Sequence, residues 1–253
     1  MSKIRLLVKE TLYPLRYVFP RRLYLGKPIS SWPAIVGVVH DIRVPRGMRR
    51  QPVSSPAGYA NINIILHLIG RVASVPGDLA ECGVFRGSTL VPTAIFVQQQ
   101  RNNKRIFGFD SFQGFDDSVA KDVALGGSKD DQRKVGGFAD TSRELVSEKL
   151  RMFAVEQNVT LVPGYFRDSL AAAAASRFSF VHLDCDTYDS YKECLAFFYP
   201  RLNRGGIVLF DEYNDPAWPG CNLAIDEFLA DKPEKPQTIE RDNFQKSYIE
   251  KVS

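Results

Sequence analysis

The sequence has few of the residues that mark several common kinds of functional site. Its 253 residues include only four cysteines and three histidines, and no two cysteines form a C-x-x-C pair. A zinc site or a disulfide framework is therefore not expected, and reduced thiols in a cytoplasm are the simpler interpretation. Long apolar runs are also missing, because charged residues and Pro14 interrupt the run over residues 4–19. We expect a soluble protein without a signal peptide or a membrane-spanning helix.

Positive charge is concentrated at the start of the chain. Residues 1–50 hold eleven Lys or Arg side chains but only Glu10 and Asp41 as acidic ones, whereas acidic residues predominate in the remainder. Residues 1–53 show no sustained hydrophobic period, which predicts a basic N-terminal arm, helical or irregular, before a domain over residues 54–253. This arm could contact a membrane surface peripherally, or it could be a solvated face that pairs with the acidic body. No nucleic-acid partner is expected.

From Gly77 onward, short apolar strands alternate with helical segments. This alternation predicts an α/β fold with a mostly parallel, Rossmann-like sheet and helices on both faces. Five strands are predicted over residues 78–82, 105–110, 159–162, 178–184 and 206–211, and two further candidates at 237–240 and 247–251 bring the sheet to seven. Helices are predicted from about Ser55 and over residues 88–99, 142–153, 167–175, 188–202 and 221–229.

Residues 115–139 interrupt this alternation. The segment contains four glycines and many charged side chains, and it leaves the predicted sheet at the end of the second strand. Ligands bind at the carboxyl ends of strands in sheets of this class, and a long segment without secondary structure in a compact domain is typically a lid or a disordered loop. We predict that residues 115–139 form a lid.

A turn with two glycines joins the first predicted strand to a helix. Gly83 and Gly87 would let the backbone pass close to a ligand, and the helix that begins near Ser88 and Thr89 offers N–H groups to a carboxylate. Glu81 begins the same motif and is a further candidate for binding this ligand. The spacing G-x-x-x-G differs from the dinucleotide fingerprint G-x-G-x-x-G, so a pyrophosphate would be poorly bound. An ordinary tight turn is the structural alternative.

Two further strand ends carry residues that suit a nucleoside. Asp110 ends the second predicted strand, next to Ser111, and could accept hydrogen bonds from ribose hydroxyls, although a loop cap is the alternative. Gly164, Tyr165 and Phe166 follow the third strand, where an aromatic ring could lie beside an adenine or pack in the core. Together with the glycine turn, these residues predict a ligand that contains a nucleoside.

Acidic residues follow two apolar strands. Asp184 and Asp186 come at the end of one, and Asp211 and Glu212 come at the end of another. Carboxylates gathered at strand ends repel each other and are costly to bury unless a cation neutralises them. A helix cap would explain Asp186 or Asp211 singly but not the four acids together. We therefore predict that Asp184, Asp211 and Glu212 bind a divalent metal, with Mg²⁺ preferred and Mn²⁺ or Ca²⁺ as alternatives.

The motifs together resemble the macrocin O-methyltransferase family, which includes sugar O-methyltransferases of antibiotic pathways. The resemblance covers about residues 76–213, and it departs from the family at Asp211-Glu212, where the family usually has two aspartates. The arm and the lid segment are not clearly matched. The matching motifs are ECGVFRG at 81–87, FDSFQGF at 109–115, GYFRDSL at 164–170, LDCDTYDS at 183–190, YPRLNRGG at 199–206 and DEY at 211–213.

The resemblance implies a class I methyltransferase fold, S-adenosylmethionine as the cofactor, Mg²⁺ on the three acids named above, and a homo-oligomer. It also implies that Asp186 is the general base for a hydroxyl of a small-molecule or glycan acceptor, while we interpret His182 as a core histidine. Two alternatives remain open. One is a metal-dependent glycosyltransferase that uses the D-x-D motif at 184–186, and the other is a non-catalytic scaffold that binds the cofactor.

Overall fold

The computed structural model describes residues 56–101, 103–126, 133–241 and 243–253. The predicted basic arm, residues 1–53, lies outside these ranges. Within them, no helix has the length and apolar character that crossing a membrane requires.

Seven strands form a single sheet. They are β1 (Asp78–Cys82), β2 (Ile106–Asp110), β3 (Val159–Pro163), β4 (Phe178–Leu183), β5 (Leu202–Phe210), β6 (Gln237–Arg241) and β7 (Phe244–Glu250). Their order across the sheet is β3-β2-β1-β4-β5-β7-β6. The first five strands are parallel, and β7 is antiparallel to both of its neighbours. The predicted seven-stranded, mostly parallel sheet is therefore confirmed.

Helices cover both faces of the sheet. They are α1 (Pro56–Arg71), α2 (Leu90–Gln99), α3 (Val119–Ala124), α4 (Arg143–Met152), α5 (Phe166–Ser169), α6 (Tyr188–Phe198) and α7 (Pro219–Leu229), with 3₁₀ turns at Glu156–Asn158, Leu170–Ala173 and Tyr199–Arg201. Buried side chains of α1, α2 and α4 form one apolar cluster with one face of the sheet, and those of α6 and α7 form a second cluster with the other face.

Alternation along the strands decides which cluster each side chain joins. In β5, Ile207 and Leu209 pack on the α1 face, whereas Val208 and Phe210 pack on the α6 face. This is the period of two that a strand imposes, because successive side chains point to opposite faces. The same alternation carries over to the residues that follow each strand, and it therefore determines which polar groups can meet at the sheet edge.

Three predicted elements were wrong in detail. The alanine-rich segment over 167–175 is not one helix: α5 ends at Ser169 and a 3₁₀ turn follows. The helix predicted over 188–202 ends at Phe198, where Pro200 falls in a 3₁₀ turn and cannot continue the helical hydrogen bonds. The segment over 115–139 was expected to lack secondary structure, but it contains α3.

Candidate active site

The turn after β1 brings the chain close to the end of β4. Gly83 has φ +92°, and a Cβ at this position would lie 1.6 Å from the main-chain oxygen of Asp184. Phe85 and Gly87 also have positive φ, at 47° and 76°. Only glycine fits at position 83, so the glycine that the sequence places there allows the first and fourth strands to end side by side. We call residues 83–87 the cofactor turn.

Behind the cofactor turn lies a buried carboxyl. Glu81 is 3% exposed, and its Oε1 accepts a hydrogen bond from Thr89 Oγ1 at 2.6 Å. Burial raises the pKa of Glu81 to about 7, and the hydrogen bond from Thr89 and the neighbouring His182 only partly oppose this. Glu81 therefore supports the start of α2 from below and does not line the cleft described next.

One cleft of about 500 Å³ runs along the carboxyl ends of the strands. Eight of the ten residues predicted to bind the cofactor line it, and the other two, Glu81 and Gly87, lie behind its wall. Asp184 and Asp186 line the same cleft. The eight are Gly83, Ser88, Thr89, Asp110, Ser111, Gly164, Tyr165 and Phe166.

Asp110 has the capping role that the sequence left open as an alternative. Its Oδ2 accepts the N–H of Phe85 at 2.7 Å, and its Oδ1 accepts the N–H of Phe112 at 2.6 Å. Burial raises the pKa of the carboxyl, whereas these backbone hydrogen bonds lower it. Each carboxylate oxygen can accept a second hydrogen bond, so the cap leaves capacity for a ligand hydroxyl on the cleft side.

The main-chain hydrogen bonds between neighbouring strands continue through the first acidic residue after β4 and the first after β5. The N–H of Asp184 donates to Cys82 O at 2.9 Å, and the N–H of Asp211 donates to Leu183 O at 2.9 Å. Asp211 follows Leu209 by two residues and so faces α1, where Asn61 Nδ2 donates to its Oδ1 at 3.1 Å. On the same face, Nε2 of His182 lies 3.3 Å from that oxygen.

His182 is buried, as the interpretation as a core histidine expects, and it also belongs to this cluster, which that interpretation did not foresee. It precedes Asp184 by two residues and therefore points to the same side. Oxygen or nitrogen atoms of His182, Asp184 and Asp211 lie within 4.8 Å of one another, an arrangement that could hold a metal ion. The Nδ1 atom of His182 is buried and has no hydrogen-bond partner among the described residues.

Glu212 faces the opposite side of the sheet. It follows Phe210 by two residues, is 4% exposed, and accepts a hydrogen bond from the Tyr191 hydroxyl of α6 at 2.5 Å. Burial, followed by the charges of Asp211 and Asp184, raises the pKa of Glu212 well above its usual value. The Glu212 carboxyl also interacts with that of Asp184 and partly opposes the rise in the Asp184 pKa.

Asp186 sits at a strained position in the cleft wall. Its φ is +61°, a conformation that is uncommon for a residue with a side chain. Burial raises its pKa well above the usual value, and the carboxylates of Asp184 and Asp211 raise it further. Burial and Asp211 likewise raise the pKa of Asp184 to about 6. The crowded carboxyls have the electrostatics expected of a cation site.

Sequence reasoning missed four residues that complete the site. Lys246 on β7, Asn61 on α1 and Tyr191 on α6 contact the acidic cluster, and Asp122 on α3 accepts the N–H of Tyr188 at 3.1 Å. None of them lies in a motif with a recognisable spacing. Lys246 supplies a positive charge beside the acids that the sequence did not reveal. A metal ion is therefore not the sole means of balancing these carboxylates.

The chain is similar in sequence and in fold to known O-methyltransferases. The family model described as Macrocin-O-methyltransferase (TylF) matches residues 58–245. The demethyldecarbamoylnovobiocin O-methyltransferase of Streptomyces niveus is 32% identical over 173 residues, which are 67% of this chain and 65% of that relative. A relative from Streptomyces olivaceus, named 8-demethyl-8-(2,3-dimethoxy-alpha-L-rhamnosyl)-tetracenomycin-C 4'-O-methyltransferase, is 30% identical over 155 residues, 61% of this chain and 58% of that relative.

The aligned region thus spans less than two thirds of the length of each of these two relatives, 65% of the first and 58% of the second. Among solved structures, the O-methyltransferase NovP superposes with a TM-score of 0.69 at 25% identity, covering 89% of this chain and 100% of the other. The superposition extends beyond the aligned sequences and confirms the class I methyltransferase fold. The match over residues 58–245 shows that this chain belongs to the macrocin O-methyltransferase family, whose enzymes depend on S-adenosylmethionine.

Proposed function

We propose that this protein transfers the methyl group of S-adenosylmethionine to a hydroxyl of a sugar or of a glycosylated natural product, with help from Mg²⁺. One observation carries the proposal: a single cleft joins the cofactor turn to Asp184 and Asp186. The rhamnosyl group in the name of the S. olivaceus relative supports a sugar acceptor. The family match favours this function over the glycosyltransferase alternative.

The cofactor would bind along the eight predicted residues that line the cleft. Its carboxylate would face the backbone N–H groups at the start of α2, near Ser88 and Thr89, because helix N-termini favour anions. Its ribose hydroxyls would donate to Asp110. Tyr165 and Phe166 are half-buried on the cleft wall and offer an apolar surface to the adenine.

The donor set at the acidic cluster fits Mg²⁺. Carboxylate oxygens of Asp184 and Asp211 are hard ligands that lie close together, and the raised pKa of Asp184 reflects a repulsion that a divalent ion would relieve. Glu212 faces the other side of the sheet, so it would have to turn from Tyr191 to complete the predicted set. When bound there, Mg²⁺ would stabilise the alkoxide form of the acceptor hydroxyl. The position of His182 makes it an additional candidate ligand, although nitrogen suits Mg²⁺ less well than oxygen does.

Asp186 would act as the general base. The acceptor hydroxyl would lose its proton to the Asp186 carboxylate while the hydroxyl oxygen takes the methyl group from the sulfonium. The cofactor would then become a neutral thioether. Burial raises the pKa of Asp186, and a carboxylate with a raised pKa is a stronger base once it is ionised. Segment 115–139 would cover the cleft through Phe115 and Phe138, which line it.

The test begins with isothermal titration of S-adenosylhomocysteine, with Mg²⁺ and then with excess chelator. We expect micromolar binding, followed by methylation of sugar hydroxyls in a screen of acceptors. Asp186→Asn should keep the affinity for S-adenosylhomocysteine and lower turnover by a factor on the order of 100 or more. Asp168→Asn is the matched control, since the Asp168 side chain is 75% exposed and should tolerate the change.

Three outcomes would contradict parts of the proposal. Normal turnover by Asp186→Asn would remove Asp186 from the mechanism. Binding of sugar nucleotides in place of S-adenosylhomocysteine would favour the glycosyltransferase alternative. Binding of S-adenosylhomocysteine without turnover on any hydroxyl acceptor would favour the non-catalytic scaffold.

A further inference from the structure

The carbonyl side of the cofactor turn is attached to the segment that follows residue 139. Arg86 O accepts a hydrogen bond from Lys149 Nζ at 2.6 Å, and Phe85 O accepts one from the Thr141 hydroxyl. The Arg86 side chain donates to Asp140 O at 3.0 Å and also pairs with the Asp140 carboxylate. Two successive carbonyls and one side chain of the turn are thus bound by residues of one segment, 140–149.

Lys149 is an unusual residue for its position. It is 1% exposed, on the inner face of α4, next to the core residues Val146 and Leu150. Burial, with a smaller contribution from the charge of Arg86, lowers its pKa to about 8. Burying an ammonium group is costly, and a Met or Leu would fill the same space without that cost. The lysine is therefore better explained by what its ammonium group contacts than by core packing.

That contact lies directly behind a surface of the cleft. Phe85 lines the cleft, and its backbone has a positive φ that must be held in place by its surroundings. On the cleft side, Asp110 accepts the Phe85 N–H; on the far side, Thr141 and Lys149 bind the carbonyls of Phe85 and Arg86. The turn is thus held from both sides by residues distant in sequence.

We propose that Lys149 is a positioning residue for the cofactor, and that Thr141 assists it by holding the neighbouring carbonyl of Phe85. Lys149 fixes the Arg86 carbonyl, which keeps the N–H groups at the start of α2 directed into the cleft. Its positive charge lies behind the place where the cofactor carboxylate would bind. This inference rests on the proposed function, and it ties cofactor affinity to the segment that immediately follows the predicted lid.

The test compares Lys149→Met with the wild type. Methionine keeps the length of the side chain and removes the charge and the donor. We expect S-adenosylhomocysteine to bind roughly tenfold more weakly, since hydrogen bonds from charged groups contribute at about this level. Affinity for Mn²⁺, titrated separately, should stay unchanged, because the Lys149 bond is to the cofactor turn and the acids lie after β4 and β5. A general loss of structure would weaken both.

Arg151→Met is the matched control, because Arg151 lies on the same helix and is exposed. It should leave both affinities unchanged. If Lys149→Met does not fold, Thr141→Val decides: it removes the bond to Phe85 O and should weaken S-adenosylhomocysteine binding several-fold. Wild-type affinity in a folded Lys149→Met or Thr141→Val protein would overturn this inference alone. Failure of the wild type to bind S-adenosylhomocysteine would overturn the proposed function and this inference together.

Discussion

Lys246 makes two contacts with Asp211: its Nζ lies 2.7 Å from Oδ2 and donates to the main-chain oxygen at 2.6 Å. Lys246 is 8% exposed and reaches the acidic cluster from β7. Burial would raise the pKa of Asp211, but Lys246 and the hydrogen bond with His182 hold it well below its usual value. One acid of the cluster is therefore ionised and oriented by the protein itself.

We expect Lys246→Met to destabilise the metal-free protein. The change leaves Asp211 without its cationic partner, which should lower the free energy of unfolding by about 1–3 kcal/mol, less than for a fully buried pair because Asp211 is partly exposed. A divalent ion should recover part of this loss by replacing the missing charge. Urea unfolding with chelator and with Mg²⁺ measures both effects. Lys235→Met, at an exposed position, is the control, and a loss that Mg²⁺ does not reduce would contradict the prediction.

Asp122 should make stability depend on pH. Burial raises its pKa from 3.8 to about 6 while it caps α6. The stability that the protonated Asp122 carboxyl contributes is therefore fully present below about pH 4, and it is lost as the pH rises through 6. Asp122→Asn cannot ionise, so its stability relative to the wild type should improve by roughly 1–3 kcal/mol between pH 4 and pH 7.5. Urea unfolding at each pH measures this difference.

The control for this prediction is Asp117→Asn, because Asp117 is exposed. A change with pH of the same size in this control would show that the effect is not specific to Asp122. A constant difference for Asp122→Asn would show that Asp122 ionises in the folded protein as freely as in the unfolded chain.

Metal binding should release protons. The pKa of Asp184 is raised to about 6 and that of Glu212 well above its usual value, chiefly by burial and by the charge of Asp211. A cation binds the deprotonated forms, so its affinity should increase as the pH rises from about 5 to 8. Titration of Mn²⁺ in buffers with different ionisation enthalpies measures the number of protons released. An affinity that is independent of pH would contradict the prediction.

Glu212 can be tested as a ligand by two substitutions. Glu212→Gln removes the carboxylate and should weaken Mn²⁺ binding roughly tenfold or more, with fewer protons released. Glu212→Asp gives the Asp-Asp pair that the resemblance implies and should keep measurable affinity. If Glu212→Gln binds Mn²⁺ as the wild type does, Glu212 is a partner of Tyr191 only, and His182, Asp184 and Asp211 are the better ligand set.

Gly83→Ala should abolish both cofactor binding and activity. The new Cβ would lie 1.6 Å from Asp184 O, so β1 and β4 would have to separate at the point where the cofactor turn meets the acidic cluster. Gly70→Ala is the control, because Gly70 lies in α1 with no atom within 4 Å of a Cβ. It should be neutral or stabilising by up to about 1 kcal/mol. Thermal unfolding and titration of S-adenosylhomocysteine check both variants.

The sequence was sufficient to predict the sheet and the edge at which the site lies. Apolar strands alternating with helices predict a parallel sheet, and the carboxyl ends of parallel strands meet at one edge, so Asp110 and Asp184 had to lie at the same edge of the sheet. Helix bounds were predicted less well. The alanines near 171–175 favour a helix locally, but tertiary contacts of the short α5 and the 3₁₀ turn override this propensity.

The sequence by itself determined which functional groups stand at the end of each strand. These residues directly follow strands that the apolar pattern predicts. The tertiary structure decided their partners. Lys246, Asn61 and Tyr191 come from three different elements, and their approach depends on the strand order and on which face each side chain takes. The same alternation directs Asp211 towards α1 and Glu212 towards α6. Contacts between residues so distant in sequence arise only from packing, which no local pattern encodes.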